Sequence, residues 1–454
     1  MDTNALLSTL NAQFKLDPAD ARVLIVGLGT TGYSAARFLQ QTPIKFAVID
    51  SRSNPPQIDR LREQMPDVPV FSGGFDQSAF DVATHLLVSP GVSLTEKVIH
   101  KAMQAGVTVM SDIDLFACAT DKPIIAITGS NGKSTVTTML GDMGNAAGLR
   151  TAIGGNLGTP ALDLLAQDAD LYVLELSSFQ LERTTALNAK AATVLNLSAD
   201  HLDRHDGMNE YALEKRRIFR GDGAMIMNAD DPGVMAMKDP TRSCISFSTH
   251  QTADFYLRRD DVDQLMHGDE VLMNTSELNL EGNHNIANAL AALALGYAAG
   301  FDINAMCRAL KKFKGLPHRM QKVAEVGGVR WINDSKATNI GACIAALQGY
   351  DRKVVLLAGG DGKGADMTEL TPIVKEKAKA VILMGKDAKL IDQALNNCVP
   401  TYFAENMKEA VKIAADLAES GDSVLLSPAC ASLDQYKSYA DRGNQFAQCV
   451  MELS

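Results

Sequence analysis

Residues 128–135, Thr-Gly-Ser-Asn-Gly-Lys-Ser-Thr, combine small residues, a lysine and adjacent hydroxyls in an order suited to binding phosphate. Small residues between a strand and a helix let backbone N–H groups and the helix N-terminus face phosphate oxygens. Lys133 can then reach the β- and γ-phosphates, and the hydroxyl of Ser134 or Thr135 can hold Mg²⁺. The loop is a variant, because Ile127 stands where the usual motif has its first glycine. We predict that this segment binds ATP.

Two further groups of polar residues follow apolar runs and are candidates for binding a metal ion on the triphosphate. Glu175 ends the apolar run 171–175, and in open α/β sheets ligands bind at the carboxyl ends of strands. The segment 196–205 contains two histidines and several acids. Its His201 is unusual for Mg²⁺, which prefers oxygen ligands, so by itself it favours Zn²⁺ or Mn²⁺. For both groups an ordinary solvated polar loop stays open as the alternative.

Three polar or glycine-rich clusters lie beside apolar runs in the last third of the chain. They supply cations and hydroxyls that suit carboxylate and phosphate groups. Each cluster alone is equally typical of a solvated loop, but their joint occurrence at strand ends favours a binding site. The clusters are residues 317–319, 333–339 and 359–364.

A glycine turn near the N-terminus predicts a second diphosphate site. Gly27, Gly29 and Gly32 follow the apolar run 22–27, a helical stretch comes next, and Asp50 ends the following apolar run. This order predicts a βαβ unit of the dinucleotide-binding type. The fingerprint does not distinguish a nicotinamide cofactor from UDP, which also carries a diphosphate and a ribose. An NAD-dependent dehydrogenase and a nucleotide-binding protein without turnover therefore stay open.

Apolar runs and helical stretches alternate along the 454 residues, which predicts the elements that position these groups. We expect three α/β domains in series: a Rossmann-like N-terminal domain, a P-loop ATPase-like central domain and a Rossmann-like C-terminal domain. The pattern restarts near residue 111, and Gly-Leu-Pro at 315–317 interrupts it again. The predicted domains are residues 1–111, 112–315 and 316–454. In the central domain we expect a parallel sheet whose strands include 123–128, 171–175, 192–196 and 224–228.

Charge and composition exclude several classes of partner. The 43 Lys and Arg residues against 54 Asp and Glu residues give a net charge of −11, so the overall field repels nucleic acid and anionic membrane surfaces. No run of residues is apolar enough to span a bilayer. The seven cysteines are widely spaced and form no CxxC pair, as is typical of reduced thiols. We expect a cytoplasmic protein that acts as a monomer.

The motifs resemble those of the Mur ligases, and the resemblance extends along the whole chain. Residues 427–434, Ser-Pro-Ala-Cys-Ala-Ser-Leu-Asp, are more similar to the D-glutamate-adding members than to other members. An Asp-Asn-Pro-Arg stretch, expected in members that add diaminopimelate, is absent from the sequence. The other segments that carry the resemblance are 128–135, 281–285, 316–319, 333–339 and 359–363.

The resemblance implies ATP-dependent joining of D-glutamate to UDP-N-acetylmuramoyl-L-alanine, in cytoplasmic synthesis of peptidoglycan precursors. The substrate carboxylate would first be phosphorylated by ATP, and the amine of D-glutamate would then attack the acyl phosphate. Positioning and charge neutralisation should provide most of the catalysis. ATP and Mg²⁺ are the implied cofactors. A Mur ligase that adds a different amino acid is the nearest alternative.

The resemblance also implies roles for individual residues around ATP. Lys215 matches a family lysine that is carbamylated, which would turn a cation into an oxygen ligand. Implied catalytic residues are Lys133, Glu175, His201 and Lys215. Implied ligands of Mg²⁺ are Ser134, Glu175, His201 and the carbamylated Lys215. Implied ATP-binding residues are Gly129, Ser130, Asn131, Gly132, Lys133, Ser134, Thr135, Asn285, Arg319 and Asp334.

Two further sets of residues are implied for the substrates. Those for the UDP substrate are Thr31, Asp50, Ser51, Arg52 and Asn156. Ser51 stands where a threonine is expected. Those for D-glutamate are Thr338, Lys363, Ser432, Leu433 and Tyr439, with His318 and Lys336 in the same cleft.

Overall fold

A computed structural model of the chain describes residues 2–200, 204–280, 282–350 and 352–453. Three β-sheets follow one another along the chain, and each is flanked by helices. The predicted fold class, three α/β domains in series, is confirmed. The domain boundaries after residues 111 and 315 stay predictions.

The first sheet has five parallel strands in the order β3-β2-β1-β4-β5. Its central strands are almost continuously buried because helices cover both faces. The elements are α1 (Thr3–Phe14), β1 (Arg22–Val26), α2 (Thr30–Leu39), β2 (Lys45–Asp50), α3 (Ile58–Gln64), β3 (Val70–Ser72), α4 (Gln77–Val82), β4 (His85–Val88), α5 (Lys97–Gln104), β5 (Thr108–Met110) and the connecting α6 (Asp112–Ala119).

The central sheet has nine strands in the order β14-β13-β12-β11-β10-β9-β6-β8-β7. The long helix α12 is buried along most of its length, and its alanine and leucine residues are apolar around most of its circumference. The elements are β6 (Ile124–Thr128), α7 (Lys133–Ala146), β7 (Thr151–Gly155), α8 (Ala161–Leu164), β8 (Leu171–Glu175), α9 (Ser178–Leu181), β9 (Ala191–Val194), α10 (Met208–Arg216), β10 (Ala224–Asn228), α11 (Pro232–Met235), β11 (Cys244–Ser248), β12 (Phe255–Arg258), β13 (Gln264–His267), β14 (Glu270–Asn274), α12 (Asn283–Ala299) and α13 (Ile303–Lys312).

The expectation of a wholly parallel central sheet was wrong at one edge. Strands β12, β13 and β14 pair antiparallel, with the tight turn around Gly268 between the last two. Burial alternates along β12, as in a strand of which one face is covered. The strands named from the sequence all belong to the parallel part, where β6 lies between β8 and β9.

The third sheet has six strands in the order β15-β16-β20-β17-β18-β19, and only β15 is antiparallel to its neighbour. The elements are β15 (Gln321–Val326), β16 (Val329–Asn333), α14 (Ile340–Gln348), β17 (Val354–Gly359), α15 (Thr371–Lys377), β18 (Ala378–Met384), α16 (Ala388–Leu395), β19 (Thr401–Phe403), α17 (Met407–Leu417), β20 (Ser423–Leu426) and α18 (Tyr439–Met451).

Apolar packing joins the first two domains more closely than the third. One cluster of buried residues runs from Leu6 in α1 through Ile124 and Ala126 of β6 to Met237 in the central domain. The two clusters of the third domain contain only residues from Met320 onward. Within the part of the chain that the structure describes, no helix has the length and apolar character needed to cross a membrane.

Candidate active site

The loop between β6 and α7 has a backbone shape that glycine makes possible. Gly132 has φ of 85°, and a Cβ atom at this position would lie 2.4 Å from the side-chain oxygen of Asn288. Gly132 is also the N-cap of the 14-residue helix α7, and no side chain caps this end. The first N–H groups of α7 are therefore directed at the loop, where an anion would satisfy them.

Asn196, after the neighbouring strand β9, holds this loop in place. Its backbone oxygen accepts from Ser130 N at 3.0 Å, and its side-chain oxygen accepts from Asn131 N at 2.8 Å. Two loop N–H groups that the sequence analysis directed toward phosphate thus bind Asn196. The N–H groups at the start of α7, together with Lys133, stay as the candidate donors to a phosphate.

Two lysine side chains converge on one carbonyl of the loop. Lys133 Nζ donates to Gly129 O at 2.8 Å, and Lys215 Nζ donates to the same oxygen at 2.9 Å. Lys215, on α10, is 1% exposed and lies 4.5 Å from the centre of the Tyr211 ring. Burial, followed by the nearby charge of Lys133, lowers the pKa of Lys215 well below its ordinary value. Burial also lowers the pKa of Lys133, although Glu175 opposes this shift.

Glu175 has one carboxylate oxygen available for a cation. Its side chain is buried at the end of β8, and Oε1 accepts from Asn156 Nδ2 at 2.6 Å. Its Oε2 is buried and has no hydrogen-bond partner in the described structure. A buried carboxylate oxygen without a partner is costly, and a metal ion would satisfy it.

The implied metal site brings together oxygen donors from different elements. Ser134, the second residue of α7, is buried, and its Oγ accepts from Arg319 of the third domain at 3.1 Å. Among the described ranges no three His, Cys, Asp or Glu side chains cluster as a metal site. His201 lies outside the described residues. The set of Ser134, Glu175 and a carbamylated Lys215 fits Mg²⁺, which prefers oxygen ligands completed by phosphate and water.

A cavity of about 300 Å³ lies between the central domain and the third domain. Of the residues that the sequence analysis assigned to ATP, Asn131, Gly132, Thr135, Asn285, Arg319 and Asp334 line it. Burial raises the pKa of Asp334 to about 7, although its hydrogen bond from Ser427 Oγ, at 2.9 Å, opposes the shift. His284, within the segment 281–285, and Asn288, just after it, also line this cavity, and neither was predicted from sequence.

A second cavity, of about 580 Å³, lies between the first and central domains. It contains all five residues implied for the UDP substrate: Thr31, Asp50, Ser51, Arg52 and Asn156. Burial raises the pKa of Asp50, but hydrogen bonds from Arg52 and from Leu28 N outweigh it and lower the pKa overall. The loop 89–92 and Gln180 also line this cavity, and neither was predicted from sequence. The turn residues Ser89-Pro-Gly directly after β4 could have indicated the loop.

The polar clusters of the third domain meet at the carboxyl ends of its strands. Asp361 and Ala431 exchange two backbone hydrogen bonds, of 3.0 and 2.8 Å, which join the loop 359–364 to the loop 427–434. Lys336 Nζ lies 3.8 Å from the centre of the Tyr439 ring. The rings of His318 and Tyr439 are 6.2 Å apart. Residues implied for D-glutamate thus come from three neighbouring loops and the start of α18: Thr338, Lys363, Ser432, Leu433 and Tyr439.

These residues differ widely in exposure. Ser432 is 3% exposed, whereas Leu433 is 75% exposed and makes an apolar projection on this surface. Arg442, which the sequence analysis missed, is buried beneath the loops. It donates to Ser335 O at 2.9 Å and to Cys430 O at 3.1 Å, so one guanidinium connects two of them.

Polar contacts close the cleft between the central and third domains. Asn339 Nδ2 donates to Asp200 Oδ2 at 3.1 Å and to Asn131 Oδ1 at 3.5 Å. Lys363 Nζ lies 3.9 Å from Asp200 Oδ1. The loop that would hold phosphate and the loops that would hold the amino acid therefore face one another.

Similarity to known proteins was found in each domain. Residues 21–111 match the family profile "Mur ligase MurD-like, N-terminal domain", residues 127–296 match "Mur ligase middle domain", and residues 318–430 match "Mur ligase, glutamate ligase domain". UDP-N-acetylmuramoylalanine--D-glutamate ligase from Methylococcus capsulatus is 53% identical, over 96% of this chain and 95% of that protein. The enzyme of the same name from Pseudomonas aeruginosa is 51% identical, over 95% and 98%.

The chain belongs to the Mur ligase family. Solved structures of Mur ligases and their relatives have the same fold at low sequence identity. A pseudomurein peptide ligase type C from Methanothermus fervidus has a TM-score of 0.63 at 19% identity, covering 96% of this chain and 100% of that one. UDP-N-acetylmuramate-alanine ligase from Thermotoga maritima has a TM-score of 0.60 at 17% identity, covering 95% and 100%.

Proposed function

We propose that this Mur ligase uses ATP to join D-glutamate to UDP-N-acetylmuramoyl-L-alanine in the synthesis of peptidoglycan precursors. The observation that carries the proposal is the position of Glu175 between the first-domain cavity and the phosphate-binding loop. It accepts from Asn156, which lines the first-domain cavity, and its charge acts on Lys133 of the phosphate-binding loop. A substrate carboxylate that reaches this point would meet the γ-phosphate of ATP.

The reaction has two steps, because an amine does not attack a carboxylate at a useful rate. An oxygen of the L-alanyl carboxylate bonds to the γ-phosphorus while the bond from that phosphorus to the bridging β–γ oxygen breaks and ADP leaves. The amine nitrogen of D-glutamate then bonds to the acyl carbon, phosphate leaves, and the nitrogen loses a proton. Lys133 and the N-terminus of α7 stabilise the phosphoryl oxygens throughout.

Metal binding belongs to this proposal. Ser134, Glu175, His201 and a carbamylated Lys215 would hold Mg²⁺, which would neutralise charge on the phosphate oxygens when bound. Lys215 suits the modification because burial lowers its pKa and so favours the neutral amine, and only a neutral amine attacks CO₂. The pair Ser134 and Arg319 would bring the third domain against the nucleotide.

We propose that D-glutamate binds among the loops of the third domain. Lys363 and Lys336 would attract its carboxylates, and Ser432 would donate a hydrogen bond. Thr338, Leu433 and Tyr439 would complete the surface, with His318 beside Tyr439. We further propose that the enzyme acts as a monomer, since both cavities are formed within one chain. We also propose that it is cytoplasmic.

Phosphate release from ATP tests the function. We expect release only when UDP-N-acetylmuramoyl-L-alanine and D-glutamate are both present, and not with L-alanine, lysine or diaminopimelate in place of D-glutamate. Lys133→Ala should abolish it, whereas Lys238→Ala, which changes an exposed lysine of the same domain, should not. Full activity in Lys133→Ala, or release with a different amino acid, would contradict the proposal. Hydride transfer with NAD would support the dehydrogenase alternative instead.

A further inference from the structure

Arg183 is a buried arginine at the boundary between the first and central domains. It follows α9, its side chain is 0% exposed, and it contacts the loop 89–92 of the first domain. We infer that Arg183 is a positioning residue that fixes this loop for the diphosphate of the UDP substrate. The inference rests on the proposed function and adds to it a residue that sets affinity for one substrate.

The contacts of Arg183 are directional and cross the domain boundary. One terminal nitrogen, Nη1, donates to Ser89 O at 2.7 Å, to Val92 O at 3.1 Å and to Val88 O at 3.4 Å. The other, Nη2, donates to Glu182 at 2.7 Å. A planar guanidinium has its donors in fixed directions, so these bonds determine where the carbonyl groups lie.

The loop held by Arg183 is part of the first-domain cavity. Residues 89–92 line that cavity together with the glycine turn. Ser89 also donates from Oγ to Gly27 O at 2.9 Å, so the loop and the glycine turn are connected. A displacement of the loop would therefore move both walls of the diphosphate site.

The segment that carries Arg183 also supplies two other parts of the site. Within residues 175–183, Glu175 offers the unpartnered oxygen near the phosphate-binding loop, and Gln180 lines the first-domain cavity. Arg183 ends the same segment and contacts the opposite wall of the cavity. One segment of nine residues thus connects the first-domain cavity with the phosphate-binding loop.

The cost of burying the guanidinium indicates that its position is specific. Its Nε has no hydrogen-bond partner in the described residues. Asp112, also buried, is close enough for its charge to act on Arg183, yet the two form no ion pair within 4 Å in the described structure. The ion pair of Arg183 is with the neighbouring Glu182, 2.7 Å away, and its other terminal nitrogen makes three contacts with loop carbonyls.

Steady-state kinetics of Arg183→Lys and Arg183→Met test the inference. Lysine keeps the charge but loses the planar fork, and methionine removes both. We expect KM for UDP-N-acetylmuramoyl-L-alanine to rise about ten- to hundredfold, more in the methionine variant, with KM for ATP and D-glutamate nearly unchanged. UDP binding measured by calorimetry should weaken in parallel. Hydrogen exchange of the amides of Gly91 and Val92 should become faster.

The matched control is Arg37→Met. Arg37 also crosses the same domain boundary, where it lies 3.5 Å from Asp163, but it does not line the cavity. We expect its kinetics and the exchange of the loop 89–92 to resemble those of the unchanged enzyme. If Arg183→Met does not fold, the same measurements are made on Arg183→Lys and Arg183→Gln, after a thermal melt has shown that each variant is folded.

The outcomes separate the inference from the proposed function. An unchanged enzyme that releases no phosphate with D-glutamate contradicts the proposed function itself. The inference alone is overturned if the unchanged enzyme is active and the folded Arg183 variants keep its KM for the UDP substrate and its hydrogen exchange in the loop 89–92. Equal increases in KM for all three substrates, or the same effect in Arg37→Met, also overturn it, because they indicate general destabilisation.

Discussion

Gly129 O accepts hydrogen bonds from two lysine side chains, so two amines of different function share one backbone atom. Lys133 begins α7 beside the loop that would hold phosphate, whereas Lys215 comes from α10 and is buried. Two ammonium groups this close repel each other, and burial penalises both. The pKa of both amines is therefore lowered, and that of the buried Lys215 falls well below its ordinary value.

We expect the Lys215→Ala variant to lose nearly all D-glutamate-dependent phosphate release. Added formate or acetate should restore part of the rate, because a small carboxylate can occupy the space of a carbamate. The measurement is the initial rate against carboxylate concentration. Lys238→Ala, whose residue is exposed, should show no response to the same additions. Absence of rescue in a folded Lys215→Ala variant would contradict carbamylation.

The modification should also depend on pH. The lowered pKa of Lys215 means that its amine gains a proton only well below the ordinary lysine value, and the neutral fraction grows as pH rises through the lowered pKa. Removing CO₂ from the buffer should therefore reduce activity most at low pH, where less amine is available to re-form the carbamate. An activity that is independent of CO₂ at every pH would count against this account.

Helix α14 shows how one element can have both a structural and a functional end. Asn339 is its N-cap and accepts from Ala342 N at 2.8 Å, while the other side-chain atom, Nδ2, reaches Asp200 of the central domain. The oxygen of this side chain stabilises the helix, and its nitrogen contacts the opposite wall of the cleft.

We expect the variants Asn339→Asp and Asn339→Ala to separate the capping of α14 from the contact with Asp200. Aspartate keeps the cap but cannot donate to Asp200, so the melting temperature should stay close to that of the unchanged enzyme while kcat falls more than about tenfold. Alanine should in addition cost about 1 kcal/mol of stability. Thermal melts and steady-state kinetics measure both.

The matched control for this prediction is Asn406→Ala. Asn406 caps α17 of the same domain by accepting from Glu409 N at 3.1 Å. Its loss should lower stability by a similar amount without reducing activity. Full activity in Asn339→Asp would mean that the contact with Asp200 is not needed for turnover.

The elements that carry the site could be predicted because apolar runs end where the polar residues begin. The run 123–128 followed by the loop, and the run 171–175 ending in Glu175, predicted strands β6 and β8 correctly, and the site residues beside them stay a prediction. The short antiparallel strands β12 to β14 were missed, since four- and five-residue strands that are partly exposed have a weak apolar pattern.

The supporting contacts could not be predicted from sequence. Asn196, Arg183 and Arg442 each act through hydrogen bonds to backbone groups far away in the chain. Backbone acceptors have no sequence signature, so nothing in the sequence identifies which loop an arginine will contact. Arg442, for example, lies in an amphipathic helix where arginine is usually exposed.

For the molecule as a whole, we expect turnover to require separation of the central and third domains. A Cβ atom built on Gly341 would lie 3.0 Å from Ser198 Cβ across the cleft. Disulfides usually have Cβ atoms about 3.5–4.5 Å apart, so a small relaxation would let cysteines at both positions bond. Oxidised Ser198→Cys/Gly341→Cys enzyme should stop turning over, and a reductant should restore the rate of the reduced variant.

Each single-cysteine variant under the same oxidation is the control, because the chain already has seven free cysteines. Thiol titration and electrophoretic mobility measure the extent of cross-linking. If the fully cross-linked enzyme works at the rate of its reduced form, substrate entry and product release need no opening of this cleft.

The division of the apolar clusters has a consequence for modularity. The first and central domains share one continuous core, whereas the apolar clusters of the third domain contain only its own residues. Residues 316–454 should therefore be an autonomous folding unit that can be exchanged between related chains, while residues 1–111 alone would expose an apolar face. The part of the molecule that would receive the amino acid is thus also the part that can be replaced without rebuilding the rest.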